Sequence, residues 1–417
     1  MEPIRGLPLA TASRPFPPIV GGHPSDWRKT TMYKIGQKEL DAIGEVLFSG
    51  KVFRYGVGGA CANFETRYAQ YLGVKHVLMT SSGTTSLAAA LVSQNIGPGD
   101  EVLVPACTYI ASAIAVLAAG AIPVVIDIDE SLTMSPAAAE AAIRPHTKAL
   151  LPVHMWGMPA DMDALMAIAK RHNLKIIEDA CQGVGGGYRG RKLGSIGDAG
   201  AFSFNYYKNM TCGEGGAVVT SCDEAVIRMG CMIDCCRFYW DGRQANGTPF
   251  VSSGARASEI EGAIMNCQLD RIDDMITKMR NQKKRILAET ADTGLKPLKA
   301  NSLDYECGTH VGFLLPSAEH AIEFQKIQSC TIAGKTGRHV YTEWDPIFAK
   351  QGAHHPTLNP YNLKENADCR RDLTKDQCAA SLEILNRSIM VGTHPDRSED
   401  DTSKLIENLR RAAKQVL

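Results

Sequence analysis

Short apolar runs alternate with helical segments between residues 72 and 221, and this alternation constrains the fold more than any other feature of the sequence. The runs of strand length are His76–Thr80, Glu101–Pro105, Ile122–Asp127, Ala149–His154, Leu174–Ala180, Ala199–Phe204 and Gly216–Ser221. The helical segments are Thr84–Gln94, Ile110–Ala119 and Asp161–His172. This order predicts an α/β fold of βαβ units on a mixed, mostly parallel sheet flanked by helices. Because parallel sheets bind ligands at the carboxyl ends of their strands, we expect the functional residues at that edge.

The pattern changes after Ser258, where the remaining chain predicts a smaller α+β domain. The elements expected there are one long helix from Glu259 to about Thr290, a strand at His310–Leu315, helices near Ser317–Gln328 and Thr402–Val416, and a loop at Ala353–Tyr361. The predicted organisation is an N-terminal arm (1–32), a large domain (33–270) and a small C-terminal domain (271–417).

Composition excludes several classes of function. Lysine plus arginine and aspartate plus glutamate both number 45, so the chain lacks the basic excess of proteins that bind nucleic acid. No apolar stretch is long enough to predict a membrane span, and the Pro-rich N-terminus does not resemble a signal peptide. Thirteen cysteines, an odd number, in a chain of 417 residues indicate free thiols in a reducing compartment, so we expect a cytoplasmic protein. Cys231, Cys235 and Cys236 have no nearby histidine, and we expect no metal site.

The stretch Ser81-Ser82-Gly83-Thr84-Thr85 lies between the first strand and its helix. Glycine at such a turn lets the backbone approach a phosphate, and the helix N-terminus offers free N–H groups and the positive end of its dipole. An ordinary glycine turn capped by serine or threonine has the same sequence. By itself, this stretch leaves a phosphate site and a structural turn open.

Three further stretches follow strands whose ends should meet at the same edge. Glu178 and Asp179 end an apolar strand, where a carboxylate can bind a metal, a ribose hydroxyl or a protonated ring nitrogen, or can be satisfied by backbone donors. Lys208 follows a strand among aromatic residues and glycines. If it is buried, the pKa of its amine is lowered and the neutral amine can form a Schiff base; a lysine on the surface would keep its ordinary pKa and stay charged. Tyr109 can stack on a flat ring or lie at a rim.

The combination of these features matches the requirements of pyridoxal phosphate. Its phosphate needs a helix N-terminus, its protonated pyridine nitrogen needs an anionic aspartate, and its aldehyde needs a lysine. A dinucleotide fingerprint would place GxGxxG at the start of the first helix, and the sequence there does not supply it. The sequence therefore favours a pyridoxal-phosphate site.

At these residues the chain resembles the DegT/DnrJ/StrS family of pyridoxal-phosphate-dependent sugar and cyclitol aminotransferases. The resemblance is close from Gln37 to about Ile276 and looser beyond. The stretches that carry it are TSSGTTSLAAAL, IGPGDEVLVPACTYIASA, PVHMWGMPADMDAL, IIEDACQGVGG, AFSFNYYKN and TCGEGGAVVTS. It implies a fold-type I transferase and a homodimer with active sites at the subunit interface.

The resemblance also implies roles for individual residues on the phosphate side of the cofactor. Gly83 and Thr84 would hold the phosphate through backbone N–H groups, and Ser203 would add a hydroxyl. Tyr109 would stack on the ring, where many relatives have phenylalanine or tryptophan.

On the ring side, Asp179 would pair with the pyridine nitrogen and Gln182 would lie near the ring hydroxyl. Lys208 would bind the aldehyde and then act as general acid and base. Some relatives replace this lysine by histidine and become dehydratases, so its presence favours transamination.

Two stretches depart from the family pattern. Relatives carry Arg-Asn-His-Gly where this chain has residues 232–238, and Asn-x-Arg-Met-Ser-Glu where it has Gly254-Ala255-Arg256-Ala257-Ser258-Glu259. The first departure removes an asparagine that contacts the partner subunit's phosphate in relatives. The two losses suggest an altered substrate edge.

The reaction we predict is transfer of an amino group from glutamate or glutamine to a keto-sugar or keto-cyclitol, in amino-sugar or aminocyclitol biosynthesis. A dehydratase or epimerase on a related sugar, and a non-catalytic binding protein of the same fold, remain alternatives. The candidate substrate residues are Arg54, Tyr55, His154 and Tyr206.

Overall fold

The computed structural model describes residues 35–56, 58–235, 237 and 250–417. The predicted N-terminal arm and residues 236 and 238 of the first departing stretch lie outside these ranges.

Strands and helices alternate from residue 76 to residue 179, as the sequence predicts; helices precede this stretch, and strands followed by helices continue it to residue 289. The helices are α1 (Gln37–Ser49), α2 (Ala60–Leu72), α3 (Gly83–Ser93), α4 (Ala111–Ala118), α5 (Pro136–Ala142), α6 (Met162–His172), α7 (Asp223–Ile233), α8 (Glu259–Leu269) and α9 (Ile272–Glu289). The strands are β1 (His76–Thr80), β2 (Glu101–Pro105), β3 (Ile122–Ile126), β4 (Thr147–Leu150), β5 (Lys175–Asp179), the short pair β6 (Gly187–Tyr188) and β7 (Arg191–Lys192), β8 (Ala199–Ser203) and β9 (Gly216–Thr220).

Seven of these strands form one sheet in the order β1-β9-β8-β5-β4-β2-β3. Neighbouring strands pair in parallel from β8 to β3, whereas β9 pairs antiparallel with both β1 and β8. The mixed, mostly parallel sheet predicted from the alternation is therefore confirmed. Six of the seven strands end at the same edge, which brings the loops after them together.

The sheet is buried on both faces because its strands are almost continuously apolar. In β2, Val102 and Val104 pack into one apolar cluster while Leu103 packs into the other. In β5, Ile177 and Ile176 divide between the same two clusters. The two-residue period of a strand thus supplies a core on each side of the sheet.

The single long helix predicted from Glu259 to about Thr290 is wrong, because α8 ends at Leu269 and α9 begins at Ile272. Arg271 has φ −121° and ψ 2°, outside helical values, and its side chain forms an ion pair with Glu39 of α1. Asp270 binds Arg67 of α2 at an N–O distance of 2.5 Å. Side chains from α1 and α2 therefore hold the chain at the break between α8 and α9. The spacing of apolar residues along this segment alone cannot reveal these partners.

The C-terminal part is built on a four-stranded antiparallel sheet in the order β10-β11-β13-β12. Its strands are β10 (Lys296–Pro297), β11 (His310–Leu314), β12 (Thr331–Ile332) and β13 (Ser388–Gly392), and its helices are α10 (Ala318–Ile327), α11 (Asp345–Phe348), α12 (Ala379–Arg387) and α13 (Glu399–Val416). The predicted loop at Ala353–Tyr361 contains short 3-10 turns at Pro356–Leu358 and Pro360–Asn362.

Apolar residues of this part also join the core of the large sheet. Leu298, Leu314 and Met390 belong to the same cluster as Val104. The division into domains at residues 270 and 271 stays a prediction. Across the described ranges, no helix has the length and apolar character that a membrane crossing requires.

Candidate active site

A cavity of about 630 Å³ opens at the carboxyl edge of the large sheet. Its walls come from the loops after β1, β2, β4, β5 and β8 and from two segments of the C-terminal part. The lining residues used below are Ser82, Gly83, Thr84, Thr108, Tyr109, Trp156, Asp179, Cys181, Gln182, Ser203, Asn205, Tyr207, Lys208, Asn209, Thr309, His310, Arg338 and His339. All seven residues predicted to bind the cofactor lie in this one cavity.

The N-terminus of α3 forms one wall. Ser82 caps the helix by accepting a hydrogen bond from the Thr85 N–H at 3.2 Å. A Cβ on Gly83 would lie 2.7 Å from Cβ of Ser203 and 3.0 Å from Sγ of Cys181, so only glycine lets this backbone approach Ser203. The first N–H groups of the helix and the Ser203 hydroxyl thus line one corner of the cavity, an arrangement suited to an anion such as phosphate.

Asp179 ends β5 and is 4% exposed. Its Oδ2 accepts a hydrogen bond from the Ser112 hydroxyl at 2.7 Å, and its Oδ1 accepts one from the Cys181 N–H at 3.1 Å. The Ser112 hydroxyl in turn lies 2.6 Å from that of Thr108. These contacts fix the direction of the carboxylate. The sequence did not indicate Ser112, which lies in the first turn of α4, whereas Thr108 precedes that helix.

Glu178 points to the other face of the sheet, as the alternation of a strand requires. It is fully buried and accepts hydrogen bonds from the backbone N–H groups of Gly194 (2.9 Å), Ile196 (2.5 Å) and Gly197 (2.7 Å). The sequence did not decide which of the two acids has a functional role. Glu178 binds the backbone of the turn at residues 194–197, and of the two only Asp179 reaches the cavity.

The expectation that His154 contacts substrate is corrected by its position. His154 is fully buried, and its Nε2 lies 3.0 Å from Oε2 of Glu178. Its Nδ1 accepts a hydrogen bond from the Ala160 N–H at 3.2 Å, which assigns the proton to Nε2. Strand β4 ends four residues earlier than predicted, at Leu150, so His154 turns into the core beside Glu178.

We expect Glu178→Gln to lower the free energy of unfolding by about 3 kcal/mol, because an amide accepts fewer hydrogen bonds and leaves buried donors unsatisfied. Chemical denaturation followed by circular dichroism measures the change. Glu407→Gln, on the exposed side of α13, serves as the control and should change stability by less than about 0.5 kcal/mol. Equal stability of the two variants would contradict the structural role of Glu178.

Lys208 lies in the turn after β8 and lines the same cavity as Asp179. Its N–H donates to the Asn205 carbonyl at 3.0 Å, and the neighbouring Asn209 side chain donates to the Val184 carbonyl at 2.9 Å. Both contacts hold the backbone that carries the amine. Cys181 is also close, but burial raises the pKa of its thiol well above the ordinary value, so the thiol stays protonated and is no nucleophile.

Aromatic and amide groups form the remaining wall. Tyr109 is 38% exposed and its ring lies 5.6 Å from that of His339. The Gln182 side-chain oxygen accepts a hydrogen bond from the Trp156 N–H at 3.0 Å. Trp156 has a φ of +52°, a strained value for a residue with a side chain, and its ring lies 6.4 Å from that of His310.

Like His154, the other three predicted substrate residues lie outside the lining of this cavity. Arg54 is paired with Glu65 at 2.5 Å, and the Tyr55 hydroxyl donates to Asp234. Tyr206 packs edge-on against Tyr207 at 5.3 Å, and it is Tyr207 that lines the cavity. The sequence places Arg54 and Tyr55 in the loop before the first strand and Tyr206 near a strand end, and neither position reveals the partners of these side chains.

The C-terminal part contributes lining residues that the sequence did not indicate: Thr309, His310, Arg338 and His339. The segment from 338 to 341 runs along the end of β2. The N–H groups of Thr108 and Ile110 donate to the carbonyls of His339 and Arg338 at 3.0 and 3.2 Å, and the N–H of Tyr341 donates to the carbonyl of Ala106 at 3.1 Å. We name residues 338–341 the 338–341 segment. Within the described ranges, no group of three histidine, cysteine, aspartate or glutamate residues is placed to hold a metal.

Comparison with known proteins agrees with this geometry. The DegT/DnrJ/EryC1/StrS aminotransferase family matches residues 33–410. The chain is 45% identical over 223 residues to the GDP-perosamine synthase of Caulobacter vibrioides, covering 52% of this chain and 58% of that protein. It is 40% identical over 271 residues to the L-glutamine:2-deoxy-scyllo-inosose aminotransferase of Streptoalloteichus tenebrarius, covering 62% and 64%. The matches thus span less than two thirds of these two relatives.

Other relatives match over nearly their whole length. The spore coat polysaccharide biosynthesis protein SpsC of Bacillus subtilis is 31% identical, covering 91% of this chain and 95% of SpsC. The crystal structure of an aminotransferase from Psychrobacter cryohalolentis is similar with a TM-score of 0.73 at 26% identity, covering 92% and 98%. The chain therefore belongs to the DegT/DnrJ/EryC1/StrS aminotransferase family.

Proposed function

We propose that this protein is an aminotransferase that uses pyridoxal phosphate to move an amino group from glutamate or glutamine to a keto-sugar or keto-cyclitol. One observation carries the proposal: Lys208 and Asp179 face the same cavity, beside the N-terminus of α3. An amine, a buried carboxylate and a site for a phosphate within about 630 Å³ are what this cofactor requires.

The residues present fit the cofactor, which the family as a whole uses. Gly83, Thr84 and Ser203 would hold its phosphate, and the absence of a side chain at Gly83 leaves that corner open. Asp179 would hold the pyridine nitrogen, with its carboxylate already directed by Ser112. Tyr109 and Gln182 would lie against the ring.

The cofactor supplies an aldehyde that condenses with amines and a ring that takes up negative charge. The rest of the chemistry belongs to the chain. Nζ of Lys208 would hold the aldehyde until the donor amine takes its place, and the freed amine would then move a proton from the donor α-carbon to the carbon of the former aldehyde. Asp179 would keep a positive charge on the ring nitrogen, and the Ser112 hydroxyl holds that carboxylate in place.

The lining also suits a polyhydroxy ketone as acceptor. Thr309, His310, His339 and Asn205 offer hydroxyl, imidazole and amide groups for hydrogen bonds to sugar hydroxyls. Relatives named for an amino sugar and for an aminated cyclitol support this substrate class.

We further infer a homodimer in the cytoplasm. Apolar side chains on and after α1 are exposed in the single chain, among them Leu40, Leu47, Val52, Phe53 and Phe48, which is 95% exposed. A second copy packed on this face would bury them. The described cysteines are free thiols, which supports a reducing compartment.

Single-turnover experiments test the function. Purified protein loaded with pyridoxal phosphate is mixed with glutamate or glutamine, and the keto acid released is measured together with loss of the visible absorbance. We expect one equivalent of keto acid per active site, followed by amination of an added keto-sugar or keto-cyclitol. Loss of water or inversion of the sugar without any amino transfer would contradict the proposal. Failure of every donor to react, with no covalent adduct on Lys208 after borohydride reduction, would indicate a binding protein.

A further inference from the structure

Among the described residues, the lysine and arginine side chains that line the cavity are Lys208 and Arg338. The cavity histidines add no charge at neutral pH. Burial, together with nearby Lys283, lowers the pKa of His310 to about 4, and burial also lowers the pKa of His339. Because Lys208 is assigned to covalent chemistry, Arg338 is the cation that remains for binding an anion.

The backbone of Arg338 is held by hydrogen bonds, whereas its guanidinium forms no ion pair with any described residue. Its carbonyl accepts hydrogen bonds from the Ile110 N–H at 3.2 Å and from the Trp344 indole N–H at 3.1 Å. Its guanidinium carbon lies 5.3 Å from the centre of the Tyr109 ring. Among the described residues, no carboxylate lies within 4.0 Å of this guanidinium, whereas Arg54 is paired with Glu65 at 2.5 Å. An exposed, unpaired arginine on a fixed backbone is suited to bidentate binding of a carboxylate.

We propose that Arg338 binds the α-carboxylate of the amino-acid donor. This inference rests on the proposed aminotransferase function. A donor carries its α-carboxylate one bond from the carbon that bears the amino group, so the cation that binds it must lie near Lys208. Lys208, Arg338 and His339 all line this cavity, and His339 directly follows Arg338 in the chain.

A phosphate on the acceptor is the other anion that could enter this site. Such a phosphate is attached to a different carbon from the keto group and is therefore separated from the reacting carbon by several bonds. Arg338 stacks against Tyr109, a residue that we assign to the cofactor ring, and this places it near the reacting end of the cavity. The position favours the donor carboxylate.

The test compares holoenzyme with Arg338→Gln in single-turnover kinetics. For both glutamate and glutamine, the concentration giving half the limiting rate should rise about 30-fold, the effect of losing a charge-assisted pair. The limiting rate and the KM for the acceptor should change by less than about threefold. Arg338→Lys keeps the charge but lacks the planar guanidinium. Its half-limiting donor concentration should lie between those of the unchanged protein and Arg338→Gln.

Binding without turnover gives a second readout. Glutarate, which has carboxylates but no amino group, is titrated into each holoenzyme by calorimetry, and inorganic phosphate is titrated in parallel. We expect glutarate to bind Arg338→Gln about 30-fold more weakly than the unchanged protein. Lys335→Gln is the matched control, because Lys335 is exposed on the same stretch and does not line the cavity.

The outcomes separate this inference from the proposed function. Unchanged donor kinetics and unchanged glutarate binding in Arg338→Gln would overturn it, even if transamination is observed. A rise in the KM of a phosphorylated acceptor alone, matched by weaker phosphate binding, would also overturn it and assign the anion to the acceptor. If no donor reacts with the unchanged protein, the proposed function fails, and the glutarate titration still decides whether Arg338 binds carboxylates.

Discussion

Lys208→Ala is expected to lower kcat for amino transfer by about 10⁴-fold or more, while the protein keeps its fold. The substitution removes both the amine that binds the cofactor aldehyde and the base that moves the α-proton. The side chain projects into the cavity from a turn held by backbone contacts, so its loss leaves no hole in the core. Steady-state assays with the best donor and acceptor measure the loss, and circular dichroism checks the fold.

Two control variants show whether the loss of activity in Lys208→Ala comes from the missing amine itself. Lys208→Arg keeps a positive charge but cannot bind the aldehyde, so we expect it to be as inactive as the alanine variant. Lys192→Ala removes a lysine outside the cavity, which pairs with Asp273 at 3.3 Å, and should leave kcat within about twofold. Borohydride reduction should attach the cofactor to Lys208 of the unchanged protein. More than a tenth of the activity remaining in Lys208→Ala would refute its assigned role.

Asp179→Asn is expected to lower kcat by about 10³-fold. Removal of one buried electrostatic contact to the reacting groups typically lowers kcat by about this factor. The amide has the same shape and can still accept a hydrogen bond from Ser112, but it carries no charge to hold a proton on the ring nitrogen. Because the side chain is only 4% exposed, water cannot replace that charge. Single-turnover rates with saturating donor measure the effect on the proton-transfer half of the reaction.

Asp163→Asn provides the comparison for this variant. Asp163 pairs with Arg189 and Arg191 on the surface, at 2.6 and 2.9 Å, so its loss should change kcat less than twofold. Asp179→Glu keeps the charge and tests position: the longer side chain should give an intermediate rate. Rates of Asp179→Asn within tenfold of the unchanged protein would mean that the ring nitrogen is held by another group.

The meeting of Gly83, Tyr109, Asp179 and Lys208 in one cavity was predictable, because the signals are local. Asp179 ends its strand and the other three follow theirs. Each strand can be recognised within about ten residues of sequence, and the parallel arrangement brings strand ends together. One rule then places all of them at the same edge. The same rule cannot decide which of two neighbouring acids faces the cavity, because that depends on which layer of helices covers each face.

The cavity wall contributed by the C-terminal part was not predictable, because its residues meet the rest of the lining only in the folded chain. Arg338 and His339 reach the cavity through backbone hydrogen bonds to residues 108 and 110, which are far away in sequence. His154 was assigned by nearness to a strand end, but its partner is Glu178 in the core. The break between α8 and α9 likewise depends on partners in α1 and α2.

The 338–341 segment has a consequence for how the lining of the cavity can change. Its carbonyls accept hydrogen bonds from the chain beside Tyr109, so the residue we assign to the donor carboxylate and the residue we assign to the cofactor ring share one backbone frame. Exchange of the side chain at 338 or 339 can therefore alter which molecules the cavity binds while the backbone beside Tyr109 stays in place. Natural variation and engineering can both act on these two positions without disturbing the large sheet.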